Sequence, residues 1–143
     1  MERFEENSYS GAILNFYRNL PKSAPKAIVH ISHGMAEHAG RYEWFMQTLM
    51  EAGYAVYAHD IRGHGYTYAS DSFKGHFSDK HGLDKLLHDL DFAIHLIKKN
   101  HPNVPIFCFG HSLGSILLLR YATSMYHRIC LLYTSPSPRD RIA

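Results

Sequence analysis

The stretch Val104-Pro-Ile-Phe-Cys-Phe-Gly-His-Ser-Leu-Gly114 decides the fold, because a short apolar run leads directly into a Gly-x-Ser-x-Gly motif. The run before the motif is rich in strand-forming residues, and Ser115 to Ala122 after it is rich in helix-forming residues. A strand, a sharp turn carrying Ser and then a helix form the context of a nucleophile elbow. The pentapeptide alone arises by chance in roughly one chain of this length in twenty. The flanking elements therefore carry the interpretation.

Ser112 at the centre of this motif is the candidate catalytic nucleophile. The two glycines allow a tight turn and the close approach of a substrate carbonyl. The N-terminus of the following helix offers free N–H groups to an oxyanion, so the N–H of Leu113 is one candidate donor. In this architecture a second donor comes from a loop after an earlier strand. His33-Gly-Met35 closes a predicted strand, which makes the N–H of Met35 the second candidate.

Two upstream segments and the elbow motif resemble one known family. His33-Gly-Met-Ala-Glu-His-Ala-Gly-Arg-Tyr42 is similar to the H-G-x-x-E-H-x-x-R-Y segment of monoacylglycerol lipases and bacterial lysophospholipases. Asp60-Ile-Arg-Gly-His-Gly65 resembles the D-x-x-G-H-G loop of these proteins, and Gly110 to Gly114 resembles their G-H-S-x-G elbow. The three segments occur in the family's order, and the resemblance covers roughly residues 10 to 128.

The resemblance implies an α/β-hydrolase fold, with a mostly parallel sheet and helices on both of its faces. By that similarity Ser112 is the nucleophile, and the backbone N–H groups of Met35 and Leu113 bind the oxyanion. The wall beside the acyl site is expected to contain Glu37, His38 and Arg41. The implied reaction is the hydrolysis of carboxylic esters of acyl lipids, of the monoacylglycerol or lysophospholipid type, through an acyl-enzyme on Ser112. It requires no metal and no organic cofactor.

Hydrophobic patterns outside the motifs predict alternating strands and helices. Apolar runs at 27–32 and 54–59 predict buried strands, and the alternation over 12–18 predicts one strand of an N-terminal hairpin or meander. Apolar residues at helical spacing over 42–50 and 83–97 predict two helices. Residues 66–82 are expected to form a surface loop. This order predicts a parallel sheet covered on both faces.

The triad order of this fold, Ser followed by an acid and then His, is not completed after Ser112. The only histidine and the only acidic residue after Ser112 are His127 and Asp140. His127 comes too soon after the nucleophile to fold back over it, and no histidine follows Asp140. Cys130 to Asp140 resembles a translated sequencing adapter and no hydrolase segment. We therefore interpret residues 1–129 as the N-terminal part of a single α/β-hydrolase domain, truncated after the elbow helix. Residues 130–143 are interpreted as a non-native tail, with a genuine variant C-terminus as the alternative.

A sheet that ended at the elbow strand would expose an apolar edge, which favours pairing with another strand. Residues 129–133 are apolar enough to pair there. A strand is therefore expected beside the elbow strand even if this segment is not native.

Composition argues against several kinds of partner and location. The 143 residues include 15 Lys and Arg against 13 Asp and Glu, so the formal charge is only +2, and no basic run predicts a nucleic-acid partner. The N-terminus lacks the basic start and apolar core of a signal peptide, and no apolar run predicts stable membrane insertion. Two cysteines form no disulfide framework. We expect a cytoplasmic protein whose partner is a small acyl-ester substrate, and the oligomeric state is left open.

Several residues have alternative roles to weigh. The 12 histidines lack the spacing of a metal site. We instead expect His33 to orient the loop that carries the second candidate donor. We expect His64 to orient the turn at residues 63–65. Asp60 is expected to brace its loop, and Cys108 to pack in the core. Two other functions stay open: a peptidase or thioesterase on the same fold, or a non-catalytic binding module if the acid and base of the triad are absent.

Overall fold

A computed structural model describes residues 1–124 and 131–135 of the chain. His127, Ile129, Cys130 and Asp140, on which parts of the sequence interpretation depend, lie outside these residues. So do most of residues 130–143, and the proposed boundary at residue 129 therefore stays a prediction.

The described strands form one six-stranded sheet in the order β1-β2-β4-β3-β5-β6. Strands β1 and β2 pair antiparallel, as do β2 and β4, whereas the pairs β4–β3, β3–β5 and β5–β6 are parallel. The mostly parallel sheet expected from the sequence is therefore confirmed. The strand bounds are Glu2–Asn7 (β1), Ile13–Asn19 (β2), Ile28–Ser32 (β3), Ala55–His59 (β4), Ile106–His111 (β5) and Leu131–Ser135 (β6).

Within residues 1–124 and 131–135, three α-helices lie between the strands, at Glu43–Glu51 (α1), Gly82–Asn100 (α2) and Leu113–Ser124 (α3). A 3₁₀ turn at Ala39–Tyr42 precedes α1, so this helix begins one residue later than its apolar spacing predicts. None of the helices in the described ranges is long and apolar enough to cross a bilayer.

The helices cover opposite faces of the sheet, because successive strand residues point to opposite sides. On β3, Ile28 packs in a cluster with side chains of α2 and α3, including Leu90 and Leu118. Ile31, three positions further along β3, points to the opposite face and packs with Met46 of α1. The expected arrangement, a sheet with helices on both faces, is confirmed.

A buried ionic cluster ties the N-terminal turn to the 66–82 loop. Arg62 is 1% exposed, and it donates from Nη2 to the carbonyl of Ser10 at 3.0 Å and from Nη1 to Asp71 at 2.8 Å. Its Nε lies 3.3 Å from Oδ2 of Asp89 on α2, an ion pair without hydrogen-bond geometry. Ser8 and Ser10 both donate to the other oxygen of Asp89. The surface loop expected at residues 66–82 is therefore anchored, through Asp71, to the buried side chain of Arg62.

Strand β6 lies where the sequence predicts pairing with the elbow strand. Residues 131–135 pair with β5 in a parallel register in which Phe109 is opposite Tyr133. The expected strand is confirmed, two residues later than predicted at each end, and β5 is consequently not an edge.

Candidate active site

Ser112 lies in the sharp turn between β5, which ends at His111, and α3, which begins at Leu113. Its φ is 53°, in the left-handed region that non-glycine residues rarely adopt. A side chain at Gly114 would collide with the carbonyl of Ser32, and a Cβ on Gly110 would lie 2.7 Å from Cδ1 of Leu118. The strand–turn–helix context expected around Gly-x-Ser-x-Gly is therefore present, and both glycines are needed because neighbouring atoms occupy the space of a Cβ.

The loop after β3 lies against the turn that carries Ser112. A Cβ placed on Gly34 would be 3.3 Å from Cβ of Ser112 and 3.2 Å from the carbonyl oxygen of His111. The fold thus brings together two segments that are almost 80 residues apart in the sequence. Within the described residues, neither the N–H of Met35 nor that of Leu113 donates to a protein acceptor.

Glu37 fixes the start of the loop after β3. Its Oε1 accepts the N–H of Gly34 at 2.8 Å and the hydroxyl of Tyr42 at 2.5 Å. Burial raises the pKa of Glu37, but these hydrogen bonds outweigh burial and bring the pKa below its ordinary value. Burial and the same carboxylate raise the pKa of Tyr42. The sequence predicted Tyr42 only as a helix residue. The signal for its hydrogen bond to Glu37 is the presence of both residues in the H-G-x-x-E-H-x-x-R-Y segment.

Glu37, His38 and Arg41, expected to form one wall, lie along two different cavities. Glu37 and Arg41 line a cavity of about 300 Å³ beside His111, the neighbour of Ser112. His38 instead lines a cavity of about 730 Å³ between the loop after β3 and residues 63–75, and Glu37 lies between the two. Glu37 and Arg41 thus flank the elbow, whereas His38 faces the larger cavity.

Asp60 at the end of β4 accepts hydrogen bonds and lies fully buried. Its Oδ1 accepts the N–H of Ala39 at 2.8 Å, and its Oδ2 accepts the side chain of Asn15 and the N–H of Tyr66, each at 2.9 Å. The expected bracing role of Asp60 is confirmed, because its oxygens face three donors rather than Ser112.

His33 also acts as expected on the loop after β3. Its Nε2 accepts the N–H of Ile61 at 2.9 Å, so the proton lies on Nδ1, which donates to the carbonyl of Gly34 at 2.7 Å. Burial lowers the pKa of His33 and favours this neutral form.

The hydroxyl of Ser112 has no hydrogen-bond partner among residues 1–123. The structure therefore shows the turn of the candidate nucleophile and the loop of the second candidate donor, and within those residues no base is hydrogen-bonded to the Ser112 hydroxyl. No group of three or more His, Cys, Asp and Glu side chains in the described part of the chain could hold a metal ion. Cys108 is buried on β5, as expected, and burial raises the pKa of its thiol.

The amino-acid sequence of the chain is similar to a known protein family and to monoglyceride lipases. The sequence matches the family model Hydrolase_4, described as serine aminopeptidase S33, over residues 23–138. It is 35% identical to the monoglyceride lipase of Rattus norvegicus over 117 residues, which are 81% of this chain and 37% of that protein. The chain therefore spans little more than a third of the length of this relative.

Solved structures give the same result at the level of the fold. A thermostable carboxyl esterase from Bacillus coagulans superimposes with a TM-score of 0.83 at 28% identity, covering 93% of this chain and 43% of the esterase. A soluble variant of the monoglyceride lipase from Saccharomyces cerevisiae, in complex with a substrate analogue, gives 0.74 at 26% identity with the same coverage. The α/β-hydrolase fold and the resemblance to monoacylglycerol lipases are confirmed.

Proposed function

We propose that this chain, which belongs to the Hydrolase_4 family (serine aminopeptidase, S33), is the N-terminal part of a serine hydrolase that cleaves carboxylic esters of acyl lipids. The substrates we propose are monoacylglycerols or lysophospholipids. The monoglyceride lipases among its relatives support the first class, and the sequence resemblance supports both. A cytoplasmic location and the lack of a nucleic-acid partner stay predictions from the sequence.

One observation carries the proposal: Ser112 occupies a left-handed turn directly beside the loop that contains Met35. Its φ of 53° lifts the residue out of the strand and places it at the N-terminus of α3. Gly34 contacts that turn, and the N–H groups of Met35 and Leu113 have no acceptor among the described residues. A nucleophile next to two unused donors is the arrangement that acyl transfer requires.

In the proposed reaction, Oγ of Ser112 attacks the ester carbonyl while a base accepts its proton. The carbonyl oxygen of the tetrahedral intermediate receives hydrogen bonds from the N–H groups of Met35 and Leu113. Collapse of the intermediate breaks the ester C–O bond, and the leaving alcohol takes the proton from the base. Water then attacks the acyl-enzyme by the same route and releases the fatty acid and Ser112.

The base and its orienting acid belong, in this proposal, to later residues of a longer protein. Within residues 1–123, no side chain forms a hydrogen bond with the hydroxyl of Ser112. The family's chain order places the acid and then the His after the nucleophile. We therefore expect the 143-residue chain alone to have little or no turnover, which keeps a non-catalytic binding module as its alternative role.

The test is a substrate panel for the full-length protein and its Ser112→Ala variant. We expect hydrolysis of p-nitrophenyl esters and monoacylglycerols, and a loss of turnover by at least about 10³-fold in the variant, because the nucleophile is removed. The Ser115→Ala variant is the matched control, since Ser115 lies in the first turn of α3 and its hydroxyl donates to the carbonyl, not to Oγ, of Ser112. Retained ester hydrolysis in Ser112→Ala would show that the assignment is wrong.

A peptidase is the second candidate, because the matching family is described as a serine aminopeptidase. The fold and the nucleophile do not distinguish an ester from an amide substrate. Aminoacyl p-nitroanilides and an acyl thioester in the same panel decide the matter. Preference for the anilides would replace the lipase proposal by the peptidase, and preference for the thioester would replace it by a thioesterase.

A further inference from the structure

Three side chains join the loop after β3, residues 33–39, to the loop after β4, residues 60–65. His33 accepts the N–H of Ile61, and Asp60 accepts the N–H of Ala39. The third bond differs from the first two in its position. Nε2 of His64 accepts the N–H of Ala36 at 3.2 Å, directly after the residue whose N–H is proposed to bind the oxyanion.

The two hydrogen bonds of His64 define its tautomer. Nδ1 lies 3.0 Å from the carbonyl oxygen of Arg62, an acceptor only, so this nitrogen carries the proton and donates. Nε2 is therefore free to accept the N–H of Ala36. His64 thus has one bond within its own loop and one bond to the neighbouring loop, and the two can be separated experimentally.

Ala36 needs such a partner because of its backbone. Its φ is 60°, in the left-handed region that alanine rarely adopts. The peptide between Met35 and Ala36 is planar, so a fixed direction of the Ala36 N–H also fixes ψ of Met35. This restrains the part of the loop that carries the N–H of Met35.

We propose that His64 is a positioning residue for the oxyanion hole: by accepting the N–H of Ala36 it holds the Met35–Ala36 turn in the conformation that directs the N–H of Met35 toward the substrate. This inference rests on the proposed function of Ser112 and Met35. It goes beyond the expectation for His64 from the sequence, which concerned only the turn at residues 63–65.

Two substitutions at His64 separate its two bonds. In His64→Asn the amide nitrogen can replace Nδ1 and donate to Arg62, but nothing replaces Nε2. In His64→Gln the amide oxygen can replace Nε2 and accept the N–H of Ala36. His88→Gln is the matched control, because His88 is an exposed histidine on α2.

The first readout is hydrogen exchange of the Ala36 amide in the 143-residue chain, which does not depend on catalysis. We expect protection in the wild type and in His64→Gln, and exchange at least tenfold faster in His64→Asn. The second readout is the hydrolysis of a p-nitrophenyl ester by the full-length protein. We expect kcat of His64→Asn to fall about 10- to 100-fold with KM little changed, because the donor acts on the transition state. His64→Gln should regain most of this loss, and His88→Gln should match the wild type.

Three results would overturn the inference: an Ala36 amide that exchanges equally fast in the wild type and His64→Asn, equal losses of kcat in both His64 variants, or a loss confined to KM. If the wild-type full-length protein does not hydrolyse the ester, the proposed function fails instead. The exchange measurement still decides whether His64 holds Ala36.

Discussion

Single residues in this protein adopt backbone conformations that are explained by their neighbours. Ser112 and Ala36 both have a φ near +60°, and each lies where two loops meet. The Gly-x-Ser-x-Gly pattern, together with the strand-forming run before it and the helix-forming run after it, was sufficient to predict the turn at Ser112. The conformation of Ala36 could not be predicted, because alanine has no local preference for the left-handed region and depends there on His64, a residue 28 positions away.

At this scale we predict that Gly65→Ala is markedly more destabilising than Gly75→Ala. Both glycines have a positive φ, of 52° and 78°, so alanine is strained at each. A Cβ on Gly65 would also collide with the carboxylate of Asp60, whereas a Cβ on Gly75 would have no atom within 4 Å. We expect about 1–2 kcal/mol of lost stability for Gly75→Ala and a further 1–3 kcal/mol for Gly65→Ala, measured by urea unfolding. Equal losses would contradict the packing of Asp60 against this loop.

At the scale of elements, the helices and buried strands could be predicted because their signals are local. The apolar spacing over 83–97 indicated α2, and the apolar runs indicated β3 and β4. The pairing of Arg62 with Asp89 could not be predicted, since it joins a loop to a helix across 27 positions. Nor could the sequence predict that Arg41 and His38 line different cavities, because the direction of each side chain depends on the turns between β3 and α1.

Two buried histidines connect neighbouring strands. His30 of β3 and His59 of β4 lie with Nε2 and Nδ1 3.3 Å apart, so one ring donates to the other and they cannot both be charged. Burial lowers the pKa of His30 to about 4, and burial together with His30 lowers that of His59. Each histidine therefore favours folding only while it is neutral.

We predict that the protein loses stability as the pH falls from about 6.5 toward 4. The folded-state pKa of His30 is below its ordinary value of 6.5, so its contribution is complete above that value and declines toward the folded pKa of about 4. This shift corresponds to roughly 3 kcal/mol. His30→Leu should reduce the slope of unfolding free energy against pH in urea titrations, and His88→Gln should leave it unchanged. An unaltered slope in His30→Leu would show that the pair is not the cause.

At the scale of the whole molecule, the chain has the α/β-hydrolase fold. Strand β5 lies between β3 and β6 in the sheet. The turn that carries Ser112 follows β5 and lies next to the loop after β3. The three motifs predicted this fold and the meeting of these segments, because each motif follows a strand of the parallel part of the sheet, in which β3 lies between β4 and β5. The matching relative from Rattus norvegicus is covered over 37% of its length, and we propose that the base lies outside the 143 residues.

The most direct test of the central claim is the labelling of Ser112 by a serine-directed fluorophosphonate, located by peptide mass spectrometry. The reagent forms a bond from Oγ to phosphorus and releases fluoride, so it reports the nucleophile without requiring knowledge of the substrate. We predict a single adduct on Ser112 in the full-length protein and none in Ser112→Ala. In the 143-residue chain we expect labelling slower by at least about 10²-fold, because we propose that the base lies outside these residues. An adduct on another residue, or labelling that persists in Ser112→Ala, would contradict the assignment of Ser112 as the nucleophile.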